Sequence, residues 1–373
     1  MTFFLEMQGE LETFEPLAGV YTGPAADRIP EILRGAGKNR PLVILDSGVA
    51  ELAPTREILD GLQDFPYSVY QDFSLPFSLD EVKAAATEYL GNQCDCLLAI
   101  GGGSAMDLGK LTGLVASNNF PWTDFFYNPL AGRRIPLYLA VPTGANGAEA
   151  STEAFVLDFS TVLLRDISRP WMVPAYVFRD LRYLESIPAD RLASGLLDMF
   201  SHQVELHLQG QNVSEELAIT GEHLRELLGG NRSFLEELGD LSLTMGKRYR
   251  SEGMSFLHGL AHVLTAYTEV SHGRVIGVFL PAFLQLAMDR PELDAVSRMA
   301  GWKDADHLLE DLRELVRTHG FERDLQEVRT LVENNLNQIA GQSALSRPAR
   351  SGPVQLEVAE MQFFICEVLD ICV

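Results

Sequence analysis

The first half of the chain alternates short apolar runs, rich in β-branched residues, with helix-like stretches, and this alternation constrains the fold more than any other feature. The clearest strand-like runs are residues 41–46, 96–100 and 135–141, and the helical pattern is clearest over residues 79–89 and 105–116. Such alternation is typical of a parallel sheet with crossover helices. We therefore predict an α/β domain with a Rossmann-like parallel sheet that binds its ligand at the carboxyl ends of the strands.

The second half lacks strand signals, and its apolar residues recur at spacings of three and four. This helical pattern covers residues 190–209, 215–228 and 304–318. The change of pattern alone marks a boundary, because no linker rich in Gly or Ser accompanies it. We predict an α/β domain over residues 1–184 and an all-helical domain over residues 185–373.

The net charge narrows the choice of partners. The chain has 29 Lys and Arg against 52 Asp and Glu, a net charge of −23, and a field of this sign repels polyanions. We therefore expect no nucleic-acid partner and no membrane partner.

Residues 1–14 lack the basic segment of a signal peptide, and the longest nearly apolar stretch, residues 275–288, is too short and interrupted to span a bilayer. We expect a cytoplasmic protein.

A run of three glycines follows the strand predicted over residues 96–100 and leads into a helix. Glycines let the backbone approach a bulky anion closely, and free N–H groups at the helix start would face its charge. The turn therefore suits a pyrophosphate, although a tight strand-to-helix connection remains the alternative, because the spacing matches neither G-x-G-x-x-G nor a Walker loop. The residues of the turn and of the helix after it are Gly101, Gly102, Gly103, Ser104, Asp107 and Lys110.

Asp46 ends the first of the predicted strands. An acidic side chain at this position can accept hydrogen bonds from both hydroxyls of an adenosine ribose and would repel a 2′-phosphate, which favours NAD over NADP. An Asp that caps the turn Asp46-Ser47-Gly48 is the alternative interpretation. A third loop, residues 142–149, follows the third strand and offers hydroxyl, amide and backbone donors to the same ligand.

Six of the eight histidines lie between His202 and His272. Asp198 and His202 are four residues apart in a helical segment, so their side chains point the same way. His258 and His262 repeat this spacing, and His272 follows. A carboxylate and imidazoles among apolar neighbours need a partner, and a divalent cation would provide one. We predict that one Asp and up to four His converge from two helices and a loop, although spacing does not decide which three histidines bind the metal.

Together these motifs resemble those of the iron-containing, group III alcohol dehydrogenases. The matching segments, in order and spacing across about residues 15–290, are residues 101–110, residues 141–143, Asp198 with His202, and His258 with His262 and His272. The resemblance implies a dinucleotide-binding α/β domain and a helical metal-binding domain in a dehydroquinate synthase-like architecture. It also implies that the substrate lies in the cleft between the domains and that subunits pair as homodimers.

The resemblance also implies a role for each matching residue. Asp198, His202, His258 and His272 would bind one divalent metal, Fe²⁺ or Zn²⁺, and His262 would relay protons. NAD(H) is the expected coenzyme, with NADP(H) as the alternative. The residues expected to bind it are Asp46, Gly101, Gly102, Gly103, Ser104, Asp107, Lys110, Thr143 and Ser151.

Two segments depart from the pattern of the family. The family loop P-T-T-x-G-T-G-S-E is one residue shorter over residues 142–149, with Asn146 and Ala148 where Thr and Ser are usual. Near the C-terminus, Arg347 and Arg350 lie where relatives often carry Asn-Pro. On a cleft-facing loop these arginines would suit an anionic substrate, and plain solvent exposure is the alternative.

These features predict a metal-dependent, NAD(P)H-linked alcohol dehydrogenase or aldehyde reductase that acts on a small aldehyde or primary alcohol. The two arginines favour a substrate with an acidic group, such as a phosphonoacetaldehyde-like compound. One alternative is a dehydroquinate synthase-like cyclase that uses NAD transiently, and the ligand set argues against it. A second alternative is a non-catalytic dinucleotide-binding protein, which the altered loop would permit.

Overall fold

The computed structural model describes residues 17–118, 122–127, 135–249 and 253–371, so the segment 1–14 lies outside it. Within these ranges the strands are β1 (Gly19–Thr22), β2 (Pro41–Leu45), β3 (Ser68–Tyr70), β4 (Cys96–Gly101), β5 (Leu137–Pro142), β6 (Glu153–Asp158), β7 (Leu163–Ser168) and β8 (Tyr176–Arg179). The helices up to β8 are α1 (Arg28–Gly35), α2 (Ala53–Gly61), α3 (Leu79–Gly91), α4 (Gly103–Ala116) and α5 (Trp122–Tyr127). The later helices are α6 (Leu181–Ser186), α7 (Ala189–Leu208), α8 (Ser214–Leu228), α9 (Leu235–Gly246), α10 (Phe256–Thr268), α11 (His272–Ala287), α12 (Arg290–Met299), α13 (Ala305–Thr318), α14 (Phe321–Glu327), α15 (Arg329–Leu345), α16 (Arg347–Ser351) and α17 (Val358–Leu369).

The main sheet has six strands in the order β1-β8-β5-β4-β2-β3, and all its pairings are parallel. Every residue of β2, β4 and β5 is buried, because α1 and α2 cover one face of the sheet and α3 and α4 cover the other. The predicted parallel sheet is therefore confirmed. Leu45 pairs with Ile100, and Gly101 pairs with Pro142, so the carboxyl ends of the three strands lie side by side.

After β8 the described chain is helical, and α7, α8 and α13 coincide with the helices predicted from periodicity. Their apolar faces, together with those of the other late helices, form one large core. The change from strands to helices occurs at α6, and the boundary predicted between residues 184 and 185 falls within that helix. Among the described residues, no helix combines the length and apolar composition that a membrane span requires.

Candidate active site

A cavity of about 810 Å³ lies between the carboxyl end of the sheet and the late helices. The turns that follow β2, β4 and β5 form one wall, and α7, α10 and the start of α11 form the other. In open parallel sheets, ligands bind outside the carboxyl ends of the strands. The cavity therefore lies where the sequence predicts a ligand.

Most of the residues predicted to bind a coenzyme line this cavity, namely Asp46, Gly102, Gly103, Ser104, Asp107, Thr143 and Ser151. Gly101 lies just behind them, and a Cβ there would be 2.6 Å from the Cβ of Ala105 and 2.7 Å from the Cβ of Asp46. Only glycine therefore allows the β2 and β4 turns to approach so closely. Gly102 is the N-cap of α4 and supplies no side-chain cap, which leaves the first N–H groups of the helix to other acceptors.

Lys110 occupies a different position from the one predicted. Its ammonium group is fully buried outside the cavity lining, pairs with Asp107 Oδ1 at 3.1 Å and donates a hydrogen bond to the Glu153 carbonyl oxygen at 2.6 Å. Asp107 also accepts a hydrogen bond from the Phe155 N–H at 3.0 Å. Burial raises the pKa of the Asp107 carboxyl, and Lys110 opposes that shift. Lys110 thus ties α4 to β6 and holds Asp107 in place.

Asp46 fits both of its predicted roles, as a cap of the turn Asp46-Ser47-Gly48 and as a ligand of the coenzyme ribose. Its Oδ1 accepts a hydrogen bond from the Gly48 N–H at 2.8 Å, and the residue also lines the cavity. Arg191, which was not predicted from the sequence, extends from α7 to the same end of the cavity. Its Nη1 lies 3.9 Å from the position of a Cβ added to Gly48. Within the cavity lining, Arg191 is the one Lys or Arg side chain among the described residues.

The predicted metal ligands converge on one wall of the cavity. Asp198 Oδ1 lies 3.9 Å from His202 Nε2, 3.7 Å from His258 Nε2 and 3.4 Å from His272 Nε2. The Nε2 atoms of His202 and His258 are 3.2 Å apart. The prediction of two helices and a loop is wrong in one respect, because His272 is the first residue of α11. Three helices therefore bring the four side chains together.

These four side chains fit a divalent cation. The Asp198 Oδ1 atom is buried and has no hydrogen-bond partner, as is expected of an atom placed for a metal ion. Burial would raise the pKa of this carboxyl, but the imidazoles, His272 foremost, hold it well below its usual range. Burial, with His258 beside it, lowers the pKa of His202 well below its usual value. An ionised carboxylate and neutral imidazoles are the donors that Fe²⁺ and Zn²⁺ prefer.

Glu205 also belongs to this site, although it was not predicted from the sequence. The residue is fully buried on α7, and its carboxylate forms an ion pair with the Nδ1 of His258. Burial lowers the pKa of His258, but Glu205 and then Asp198 outweigh burial and raise it to about 10. The signal was present in the sequence, because Glu205 follows Asp198 by seven residues and His202 by three on the same helix face.

His262 lies beside the metal ligands and lines the cavity. Its ring centroid is 4.9 Å from that of His272 and 4.7 Å from that of Phe155. Burial lowers the pKa of His262 well below its usual value, and His272 adds to the shift. The side chain is therefore a neutral imidazole inside the cavity.

Arg347 and Arg350 lie away from the cavity lining. Both are exposed, and they belong to the short helix α16 instead of the predicted cleft-facing loop. Arg347 Nη1 donates a hydrogen bond to Asp166 Oδ2 at 2.8 Å. The charges that do line the cavity are mostly acidic, namely Asp46, Asp107, Glu153, Asp198 and Glu269, against Arg191.

Comparison with known proteins finds similar alcohol dehydrogenases. Residues 18–181 match the model of the iron-containing alcohol dehydrogenase family. The chain is 25% identical to a 4-hydroxybutyrate dehydrogenase of Cupriavidus necator, over 73% of this chain and 76% of that protein. It is 26% identical to long-chain-alcohol dehydrogenase 1 of Geobacillus thermodenitrificans, over 72% of this chain and 71% of that protein.

The fold is shared with a sulfoacetaldehyde reductase from Bifidobacterium kashiwanohense, whose crystal structure contains NAD⁺. The TM-score is 0.80 at 20% sequence identity, and the match covers 98% of this chain and 100% of that one.

Proposed function

We propose that the chain is an oxidoreductase of the iron-containing alcohol dehydrogenase family, whose model matches residues 18–181, and that it interconverts a small aldehyde and its primary alcohol with NAD(H) and one divalent metal. One observation carries the proposal. The cavity has most of the predicted coenzyme residues on its sheet side and Asp198, His202, His258 and His272 on its helical side. Coenzyme and metal would therefore meet at one substrate-sized space.

A divalent cation on these four residues would polarise the substrate oxygen as a Lewis acid, while the nicotinamide coenzyme would carry the hydride. The residues of the chain supply the alignment. The N–H groups at the start of α4 bind the coenzyme phosphates, and Gly102, which has nothing within 4 Å of the position of a Cβ, leaves room for them. Asp46 accepts hydrogen bonds from the adenosine ribose, and its charge disfavours a 2′-phosphate. Apolar side chains such as Phe155 and Leu196 exclude water around the reacting carbons.

His262 moves the proton in this proposal. In alcohol oxidation its neutral imidazole accepts the proton that leaves the substrate hydroxyl, and in aldehyde reduction it returns a proton. Its position beside His272, within the cavity, supports this role.

The charges that line the cavity bear on whether the substrate is neutral or anionic. Two of the similar proteins are named for acids, 4-hydroxybutyrate and sulfoacetaldehyde. The cavity lining of this chain is mostly acidic, and Arg191 lies at the end near Asp46, where the coenzyme ribose would bind. The chain's own residues therefore favour a neutral aldehyde, and the anionic substrate suggested by Arg347 and Arg350 is the second candidate.

A spectrophotometric screen tests reaction, coenzyme and charge together. Metal-replete protein is assayed with neutral and anionic short aldehydes, each with NADH and with NADPH. We expect steady NADH consumption, fastest with neutral aldehydes, and slower reaction with NADPH. Absence of coenzyme oxidation across the panel would contradict the proposed function, whereas faster reaction of the anionic aldehydes would favour the second candidate. Homodimer formation is a separate prediction, which light scattering of the protein in solution would test.

A further inference from the structure

We propose that Glu205 is a positioning residue, which orients the His258 imidazole with its Nε2 towards the metal site and does not itself bind metal. This inference rests on the proposed function in one respect, because it requires that His258 binds a metal. It assigns to a carboxylate outside the ligand set the control of which His258 ring nitrogen faces the metal.

The two ends of the His258 ring have different partners. On one side, Nε2 faces the Asp198 Oδ1 at 3.7 Å and the His202 Nε2 at 3.2 Å. On the other side, Nδ1 pairs with the Glu205 carboxylate. The two nitrogens of an imidazole point away from each other, so a proton held on Nδ1 by Glu205 leaves the Nε2 lone pair for the metal.

The remaining contacts of Glu205 argue against a direct ligand role. Its Oε1 accepts a hydrogen bond from the Ser255 N–H at 2.9 Å and another from the Ser255 hydroxyl. Its Oε2 is the atom paired with His258 Nδ1. Oε1 is thus held by hydrogen bonds and Oε2 by the ion pair, whereas the Nε2 atoms of three histidines surround the Asp198 Oδ1 at 3.4 to 3.9 Å. Although Glu205, His202 and His258 lie close enough to form a ligand group by distance, this convergence of ring nitrogens favours a metal on the Asp198 side.

The position of Glu205 also joins two helices that carry the site. Glu205 lies on α7 with Asp198 and His202, and Ser255 is the N-cap of α10, which carries His258. The carboxylate therefore fixes both the ring and the helix start that presents it. A fully buried carboxylate is retained at such a place only with partners that compensate its lost hydration, and Ser255 and His258 supply them.

Metal affinity tests the inference. Zn²⁺ binding to metal-stripped protein is measured by competition with a chelating dye for wild type, Glu205→Gln and Glu205→Asp. The Gln variant removes the negative charge, and the Asp variant keeps it but places it farther from His258 by one methylene. We expect both to weaken Zn²⁺ binding by about 10- to 100-fold. The matched control is Glu237→Gln, which alters the Glu237–His223 pair (3.1 Å) outside the cavity lining and should leave the affinity unchanged.

A second readout separates positioning from ligation. At saturating Co²⁺, the absorption bands of Glu205→Gln should match those of wild type, because the ligand set is the same. Altered bands would show that Glu205 is a ligand and would overturn the inference, as would a folded variant that binds Zn²⁺ within about twofold of wild type.

One measurement needs no variant. In zinc-loaded wild type, ¹⁵N spectra of labelled histidine should show His258 protonated at Nδ1 and ligated through Nε2, and ligation through Nδ1 would overturn the inference. A wild type that takes up no metal would contradict the proposed function and this inference with it. Normal uptake with unchanged Glu205 variants would contradict this inference alone.

Discussion

His262 is the residue on which proton transfer depends in the proposed mechanism. Its imidazole lines the cavity beside His272, where it can exchange a proton with the substrate, and His262→Gln removes that group. We expect kcat to fall by about a hundredfold, with metal content unchanged by elemental analysis. His307→Gln, on an exposed histidine paired with Asp304, should have no effect. Unchanged turnover of His262→Gln between about pH 6 and 9 would reject the role.

The raised pKa of His258 predicts how metal binding depends on pH. Without metal, a pKa of about 10 keeps this imidazole protonated at neutral pH, and a metal must displace a proton to reach Nε2. Affinity should therefore rise with pH, by about tenfold per unit between roughly pH 6 and 8 if one proton is released. Calorimetric titration in buffers of different ionisation enthalpy would count the protons. An affinity independent of pH would contradict this linkage.

At the scale of elements, α10 packs unusually closely against the α15–α16 junction, and Gly259 permits this. A Cβ at Gly259 would contact the Ser346 hydroxyl and would lie 3.1 Å from the Ser343 carbonyl oxygen and 3.2 Å from the Ala349 Cβ. We expect Gly259→Ala to destabilise the protein by about 1–3 kcal/mol in urea unfolding. Gly341→Ala on α15, where nothing lies within 4 Å, should be neutral or stabilising by up to about 1 kcal/mol. Equal stabilities would contradict the packing argument.

For the whole molecule, the 142–149 loop links the sheet side of the cavity to the helical side. Gly147 N–H donates a hydrogen bond to the Ser242 hydroxyl at 2.9 Å, and that hydroxyl donates to Glu149 at 2.8 Å. A Cβ at Gly246 on α9 would lie 2.8 Å from the carbonyl carbon and 2.9 Å from the Cα of Gly147. Gly246→Ala should therefore displace the loop, which lines the coenzyme side of the cavity.

We expect this displacement to weaken NADH binding by about tenfold, equivalent to about 1.4 kcal/mol, in a fluorescence titration, with metal content unchanged. Gly239→Ala on the same helix is the matched control, since a Cβ there meets only ordinary contacts, the nearest at 3.5 Å. An NADH affinity of Gly246→Ala equal to that of the control would show that the loop does not depend on this contact.

Much of the fold and part of the site follow from local patterns in the sequence. Neighbours along the chain determine the apolar runs that form β2, β4 and β5. They also determine the periodic spacing of apolar residues that forms α7, α8 and α13. The pairing of Asp198 with His202 follows from helix geometry alone, because residues four apart lie on the same face. Local periodicity determines where a side chain points from its own element, so these features were open to prediction.

Only the tertiary structure decided which side chains meet across elements. It placed Glu205 against His258, buried Lys110 against the Glu153 carbonyl oxygen of β6, and paired Arg347 with Asp166 outside the cavity lining. It also brought Arg191 to the Asp46 end of the cavity. Each of these contacts joins residues through the packing of helices and strands around a shared core. The spacing of one segment carries no information about the distance or angle at which another segment packs against it, and that packing determines the chemistry of the site.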